Sequence, residues 1–477
     1  MQNKNVLVNL IWRFAERCGA QLVVFIVSVI LARLLSPEDY GTIALITVFI
    51  TILQVFVDSG LGNSLIQKKD ADDLDFSTVF FTNVVFCIIL YVGIFFCAPL
   101  ISVFYDRPEM VPYIRVLGLT VLISGVKNVQ QAYVSRNMLF KRFFFATLGG
   151  TITAAVIGIA MAYHGFGVWA LVMQQVINLS IDTLILWLSV KWRPHMKFSF
   201  QRLRGLYSFG WKLLVSSLLD TVYNDIRQLI IGKMYSAADL AYYNQGKKFP
   251  NLIVTNINAS INSVLLPTMS KVQDDRQHVK NMTRRAIKVS TYIMAPMMMG
   301  LAFTAESLVS LVLTEKWLPC VPFLRIFCIT YMFYPIHTAN LNAIKAMGRS
   351  DLFLKLEIMK KTVGIVLLLS TMRFGVMAMA YSLLVSSVLY QMINSFPNKE
   401  LLDYSYINQL KDILPSTLLA IIMGASVYPI SRLGISDFVT LILQAVFGAM
   451  IYIIGSVLLK LDSFQYLWGI AKPIFKR

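Results

Sequence analysis

Residues 77–104 read STVFFTNVVFCIILYVGIFFCAPLISVF, and no charged side chain falls between Ser77 and Phe104. As an α-helix rising 1.5 Å per residue, this stretch would be ~42 Å long, more than the ~30 Å hydrocarbon core of a bilayer. A helix satisfies its backbone hydrogen bonds within one segment, which that environment demands. The stretch is therefore a membrane span, and apolar blocks of about twenty residues recur along the whole chain.

Composition agrees. Of 477 residues, 57% are hydrophobic and 14% charged, against about 25% charged in soluble domains. The short alternating strands of a membrane barrel are not seen. No cleavable signal sequence is expected, because residues 1–10 run into the first span without a small-residue cleavage site. Five cysteines (Cys18, Cys87, Cys97, Cys320, Cys328) lie mostly inside apolar blocks. They read as packing residues, not as a disulfide framework. The net charge of +18 would suggest nucleic acid in a soluble protein. Here basic cytoplasmic loops account for it, and no nucleic-acid partner is expected.

The chain is expected to be an all-α polytopic membrane protein with about fourteen helices. The spans fall at 10–33, 41–64, 77–104, 111–135, 143–163, 166–190 and 206–235. They continue at 238–268, 285–313, 321–346, 352–372, 375–395, 411–431 and 435–459. One set of loops is basic: Lys68/Lys69, Arg136/Lys141/Arg142, Lys191 to Arg204, Lys271 to Lys288, Lys345/Arg349/Lys355 and the 472–477 tail. The alternate loops carry only Arg33, Arg107, Lys233, Lys316, Arg373 and Arg432. The positive-inside rule then places both termini in the cytoplasm, which an even number of spans also requires. The longest connections are 191–205 and 269–284. The first mixes Trp192, Phe198, Phe200 and Leu203 with Arg193, Lys197, Arg202 and Arg204, so it either lies on the membrane surface or is a solvated basic loop.

An internal repeat is present. Ala32–Gly41 (ARLLSPEDYG) aligns with Gly232–Ala241 (GKMYSAADLA), and Tyr113-Ile-Arg115 aligns with Phe323-Leu-Arg325. Two six-helix bundles related by an axis along the membrane normal would produce this pattern. The division is an N-terminal bundle at 1–190, a cytoplasmic linker at 191–205 and a C-terminal bundle at 206–395. Residues 396–477 hold two extra helices and a cytoplasmic tail.

Charges inside spans are costly and normally face a bundle interior or hydrated cavity. At helical spacing, span 1 aligns Arg13, Arg17 and Gln21 with Glu16 beside them, and span 2 aligns Thr51, Gln54 and Asp58. Span 4 offers Ser124, Lys127, Asn128 and Gln131. Span 7 carries Lys212, Ser216, Asp220, Asn224, Arg227 and Gln228. Span 8 carries Asn244, Lys247, Asn251, Thr255, Asn258 and Asn262, and span 10 adds His337, Asn340 and Lys345. Spans 3, 5, 9, 11 and 14 are nearly pure apolar. Two readings stay open: these faces line a central cavity, or the neutral residues join helices and the charges form internal ion pairs. The cavity reading makes Arg13, Arg17, Lys127, Lys212, Arg227, Lys247 and Asn251 candidates for a phosphorylated substrate, since guanidinium forks suit phosphate oxygens. Asp58, Asp220 and Asp225 are candidate coupling groups for H⁺ or Na⁺. No P-loop, GxSxG elbow or clustered Cys/His set occurs, so no catalytic residue, cofactor or metal site is expected.

The run Ala32–Leu45 (ARLLSPEDYGTIAL) resembles the span 1–span 2 junction of polysaccharide-export proteins. So do Asp58–Gln67 (DSGLGNSLIQ) and Asp225–Gly232 (DIRQLIIG) with Leu240–Asn244 (LAYYN). The chain is similar to the polysaccharide-transporter, Wzx-type branch of the multidrug/oligosaccharidyl-lipid/polysaccharide (MOP) flippase superfamily. That resemblance implies a non-enzymatic inner-membrane flippase for lipopolysaccharide or exopolysaccharide biosynthesis. Its cargo would be a polyprenyl-pyrophosphate-linked oligosaccharide, moved from the cytoplasmic to the periplasmic leaflet by alternating access. Membrane lipids and other polysaccharide-assembly proteins would be its partners. Related lipid II flippases place arginines from the first helix in the cavity, and Arg13 and Arg17 match by location. A cation- or proton-coupled multidrug antiporter of the same superfamily is the alternative, though it would want an acidic cavity. A membrane polymerase or ligase would want a sizeable periplasmic loop. Reporter fusions after Arg107 and Lys316 should read periplasmic, and fusions after Arg142, Arg204 and Arg276 cytoplasmic. A periplasmic reading at Arg204 would overturn the two-bundle arrangement.

Overall fold

A computed structural model describes residues 19–58, 61–68 and 70–475. Its compact units are Met1–Ala241 and Tyr242–Arg477. The first holds α1 (Gly19–Leu34), α2 (Pro37–Asp58), α3 (Leu61–Gln67), α4 (Asp73–Phe104), α5 (Met110–Arg136), α6 (Phe140–Tyr163), α7 (Val168–Ser189) and α8 (Phe200–Met234). Helix α9 (Ala237–Ser270) begins at the end of that unit and runs into the second. The second continues with α10 (Arg276–Phe303), α11 (Ala305–Val312), α12 (Val321–Met332), α13 (Tyr334–Ala346), α14 (Ser350–Thr371), α15 (Val376–Leu402), α16 (Tyr406–Val427), α17 (Asp437–Leu458) and α18 (Asp462–Phe475). No strand occurs among the described residues.

Eleven helical segments among the described residues are long and apolar enough to cross a bilayer. Their outer faces suit lipid: on α4, Phe96, Leu100 and Val103 are each more than two-thirds exposed. The described part of α1 is apolar but short. Helices α8 and α14 fall outside the eleven because their charges dilute the apolar run. Helix α14 corrects the expectation of a nearly pure apolar span 11, since it carries Lys355, Glu357, Lys360 and Lys361.

Several other boundaries differ from expectation for identifiable reasons. The second helix starts at Pro37, not 41, because proline suits the first helical position. It ends at Asp58, and α3 is separate. Span 9 divides between α10 and α11, and span 10 is broken at Phe333, where Pro335 opens α13. The 269–284 connection shrinks to a few residues, since Asp275 accepts the His278 backbone N–H and starts α10.

The 191–205 connection has no helix before Phe200 and is anchored at Trp192, while Lys191, Arg193, His195, Met196, Lys197 and Phe198 stay exposed. Trp192 is buried, stacked on Tyr133 and packed on Phe76, with its Nε1 donating to Asp73 Oδ1 (3.2 Å). The His195 and Ser199 backbone N–H groups donate to Ser77 Oγ (3.0 Å) and Thr78 Oγ1 (3.2 Å) at the start of α4. Ser199 then caps α8 by accepting from the Arg202 N–H. Arg202 reaches Asp72 and Asp75 at 3.3 Å, and Lys68 reaches Asp75 at 2.5 Å. The backbone N–H of Asp75, with Arg202 nearby, holds the Asp72 carboxyl below its ordinary range. At the far end of α8, Lys233 meets Asp106 at 3.0 Å. Helix α8 is thus fastened at both ends to the first unit. The compact units accordingly divide at Ala241, beyond the expected 191–205 boundary.

The repeat is matched atom for atom. Asp39 Oδ2 accepts from the Ser36 N–H (2.9 Å) and Oγ (2.7 Å), while Ser36 Oγ accepts from the Asp39 N–H (3.1 Å). Ser236 and Asp239 form the same three bonds at 3.2, 2.6 and 3.0 Å. Arg115 Nε donates to the Phe95 carbonyl (3.4 Å), and Arg325 Nε to the Ala302 carbonyl (3.2 Å). Two repeat-related glycine-bearing segments also cross. A Cβ on Gly41 would overlap the Ala237 carbonyl, and one on Gly232 would overlap Leu45. Small residues permit such approach between membrane helices. Gly41→Ala should destabilise the protein by about 1–3 kcal/mol, read as a lower unfolding midpoint in detergent. Gly205→Ala, inside α8, meets nothing within 4 Å and should hold or raise the midpoint, since Ala favours a helix interior over Gly by up to about 1 kcal/mol.

Candidate functional site

Three helices of the first unit bring ionisable groups together inside the membrane-crossing region. Lys127 on α5 places Nζ 2.5 Å from Asp182 Oδ2 on α7, with both residues more than nine-tenths buried. The neighbouring Asn128 donates from Nδ2 to the Val57 carbonyl and to Asp58 Oδ1 on α2, both at 3.3 Å. Gln54, one turn before Asp58, donates to the same carboxylate oxygen (3.2 Å). Asp58 is at the exposed edge of this cluster. Asp182 Oδ1 and Asn128 Oδ1 accept no hydrogen bond, so the cluster keeps spare acceptors beside one neutralised cation.

The spacing in the sequence explains the geometry. Residues 124, 127, 128 and 131 share one helical face, and that face of α5 meets α2 on one side and α7 on the other. Desolvating a lone ammonium costs several kcal/mol, so Lys127 requires a carboxylate close by. Asp182 supplies it and is the residue that the sequence reading missed. Its signal was visible as the single charged residue in the run 165–190.

The remaining candidates are not gathered at this cluster. Arg13 and Arg17, with Glu16, lie outside the described residues. Lys212 and Asp220 are exposed on α8, and Arg227 is buried there. Asp225 accepts from Gln228 Nε2 (2.7 Å). Lys212 and Arg227 are separated along the continuous α8 by ~22 Å, so a single diphosphate cannot engage both. Lys247, half-buried, and Asn251, exposed, lie on α9 within the second unit.

Several neutral stripe residues join helices. Asn258 and Asn262 on α9 bond to Thr338 (3.1 Å) and Asn342 (2.8 Å) on α13. Asn340 donates to Gln409 Oε1 (2.8 Å) and accepts from Asn398 Nδ2 (2.6 Å), while His337 Nδ1 lies 3.1 Å from Asn394 Nδ2. The second unit is therefore held together by a buried amide network linking α13, α15 and α16.

The family described as "Polysaccharide biosynthesis protein" matches residues 30–322, more than half of the chain. The chain belongs to that family. The chain is 25% identical to the lipopolysaccharide biosynthesis protein WzxC of Escherichia coli (strain K12), over 81% of this chain and 77% of that protein. It is 23% identical to the succinoglycan biosynthesis transport protein ExoT of Rhizobium meliloti (strain 1021), over 69% and 66%. Identity to the teichuronic acid biosynthesis protein TuaB of Bacillus subtilis (strain 168) is 27%, over 63% and 62%. The last two matches take in less than two thirds of those relatives' own length. Among solved structures, the lipid II flippase MurJ in an inward closed conformation matches with a TM-score of 0.76 at 15% identity. That match covers 94% of this chain and 98% of the other. An inward-facing multidrug resistance MATE family transporter of the MOP superfamily matches with a TM-score of 0.61 at 15% identity, covering 82% and 98%. This polysaccharide biosynthesis protein therefore has the MOP transporter fold.

The buried pair yields a stability prediction. Lys127→Ala or Asp182→Ala leaves a buried charge without its partner and should cost about 3–5 kcal/mol. The double variant Lys127→Met, Asp182→Leu should regain most of that loss. Thermal unfolding of the purified protein reads both effects. Additive losses in the double variant would mean the two groups act independently.

Proposed function

We propose that this polysaccharide biosynthesis protein is a lipid-linked oligosaccharide flippase. Its cargo is a polyprenyl-pyrophosphate-linked repeat unit, carried from the cytoplasmic to the periplasmic leaflet of the inner membrane by alternating access. The family match over residues 30–322 carries the reading, and the likeness of fold to a lipid II flippase supports it. The chain moves its substrate and does not react with it.

The topology we infer counts three further helices as spans. Adding α1, α8 and α14 to the eleven apolar segments makes fourteen spans, with both termini cytoplasmic, in two six-helix bundles plus two C-terminal helices. Lys212, Arg227, Lys247 and Asn251, together with Arg13 and Arg17, are the groups assigned to the pyrophosphate and sugar. Lys127 acts through its pair with Asp182. An inside-negative potential favours outward movement of the anionic headgroup by ~2.3 kcal/mol per charge per 100 mV. Asp58, Asp220 and Asp225 are the groups assigned to coupling with H⁺ or Na⁺. Asp58 is the best placed, since it adjoins the unpaired oxygen of Asn128.

The second reading is a cation-coupled drug antiporter. The acidic Asp58 and Asp182 and the likeness to a MATE transporter favour it. Loss of the gene separates the two. Under the flippase reading, lipid-linked repeat units accumulate on the cytoplasmic leaflet and surface polysaccharide falls. Unchanged glycan with altered dye accumulation would favour the antiporter. In the deletion strain, the Arg13→Ala, Arg17→Ala double variant at matched membrane abundance should rescue surface glycan poorly. Arg432→Ala should rescue fully.

A further inference from the structure

A groove of about 510 Å³ opens between α2, α3, α4 and α8 of the first unit. Its wall is aromatic: Phe56 and Phe86, with ring centroids 6.2 Å apart, face Phe200, Tyr207 and Trp211. Phe200 remains 79% exposed. An apolar groove on a membrane helix would be unremarked without Arg204 and Asn83 in its lining. Arg204 lines it and, unlike Arg202 two residues earlier, has no carboxylate or other partner among the described residues. Asn83 lines it about two turns further along α4 than Asp75, the carboxylate that takes Arg202. Asn83 is 5% exposed, and its Nδ2 donates to nothing.

Both unspent groups are donors. A buried donor without an acceptor is costly, and a guanidinium fork fits phosphate oxygens. Along the groove the order is a guanidinium, then an amide N–H donor, within an aromatic wall. A glycerophospholipid presents the complementary order of phosphate, ester carbonyl and acyl chain. A polyprenyl diphosphate has no ester carbonyl for Asn83. We propose that this groove is a binding site for one anionic glycerophospholipid. Its phosphate sits on Arg204, an ester carbonyl accepts from Asn83 Nδ2 once that buried amide turns toward the groove, and an acyl chain lies along Phe56, Phe86 and Trp211. The lipid would fill the seam between α4 and α8. The site is independent of the cargo, so flippase activity can fail or hold without deciding it.

The test uses the full-length protein purified in detergent, depleted of lipid and titrated with phosphatidylglycerol, with bound lipid read by native mass spectrometry. Wild-type protein should retain one tightly held lipid. Arg204→Gln, at an exposed position that leaves the fold intact, should weaken binding roughly ten- to a hundredfold. Leu214→Trp, which fills the groove, should abolish that one site. The diether analogue, lacking ester carbonyls, should bind more weakly than the diester, and Asn83→Leu should erase that difference. Wild-type retention by both Arg204→Gln and Leu214→Trp would overturn the site. So would equal binding of diester and diether lipid, or displacement of phosphatidylglycerol by an equal concentration of C55 polyprenyl diphosphate.

Discussion

Hydrocarbon offers a peptide group no hydrogen-bonding partner, so each crossing segment must bond to itself. The helices follow from this, and the placement of polar side chains follows from the same scarcity of water. Hydroxyls can bond to their own helix. Thr82, Ser180 and Thr183 each donate to the carbonyl one turn back, at 2.6–2.8 Å. Amides need more than one partner, and they find it across helices, as in the Asn340–Gln409–Asn398 network. Charges are the most demanding, and Lys127 has its carboxylate at 2.5 Å. The polar content of this interior is therefore graded by how far each group must reach to be satisfied.

That grading sets what could be read in one dimension. The apolar runs were legible because span length depends only on local composition, and eleven segments meet it. The repeat was legible because a Ser–Asp cap is a four-residue device, and both copies form the same bonds. Long-range pairings were not legible. Asp182 stands 55 residues from Lys127, and nothing in either segment alone names the other. The anchoring of segment 191–199 is long-range in the same way: Asp73 at a distant helix start takes the Trp192 indole N–H, and Asp72 and Asp75 take Arg202 just beyond the segment in α8. Helix α14 was misjudged by weighing its leucines above Lys355, Glu357, Lys360 and Lys361; Lys360 pairs with Glu357 at 2.6 Å.

The candidate site divides along the same line. Polar faces at helical spacing lie on α2 and α5, and the structure brings Asn128 of one against Asp58 of the other. The stripe on α8 was also real, but a face is not a site. Its charges Lys212 and Arg227 stand too far apart along the helix for one diphosphate, and the amides on α9 are partly occupied in holding α13.

The Lys127–Asp182 pair also has a temporal side. Membrane proteins are threaded into the bilayer as they are made, and chains lengthen at about 5–20 residues per second. Helix α5 therefore emerges about 3–11 s before its counter-ion on α7 has been synthesised. During that interval the ammonium, unfavourable by about 2.5–3.5 kcal/mol at the centre of a lone helix, has not met its carboxylate, and the apolar remainder of α5 carries that cost at roughly 0.3–0.6 kcal/mol for each Leu, Ile, Phe or Val. The ion pair is therefore a late event of assembly, closing only when α7 arrives against a helix already made.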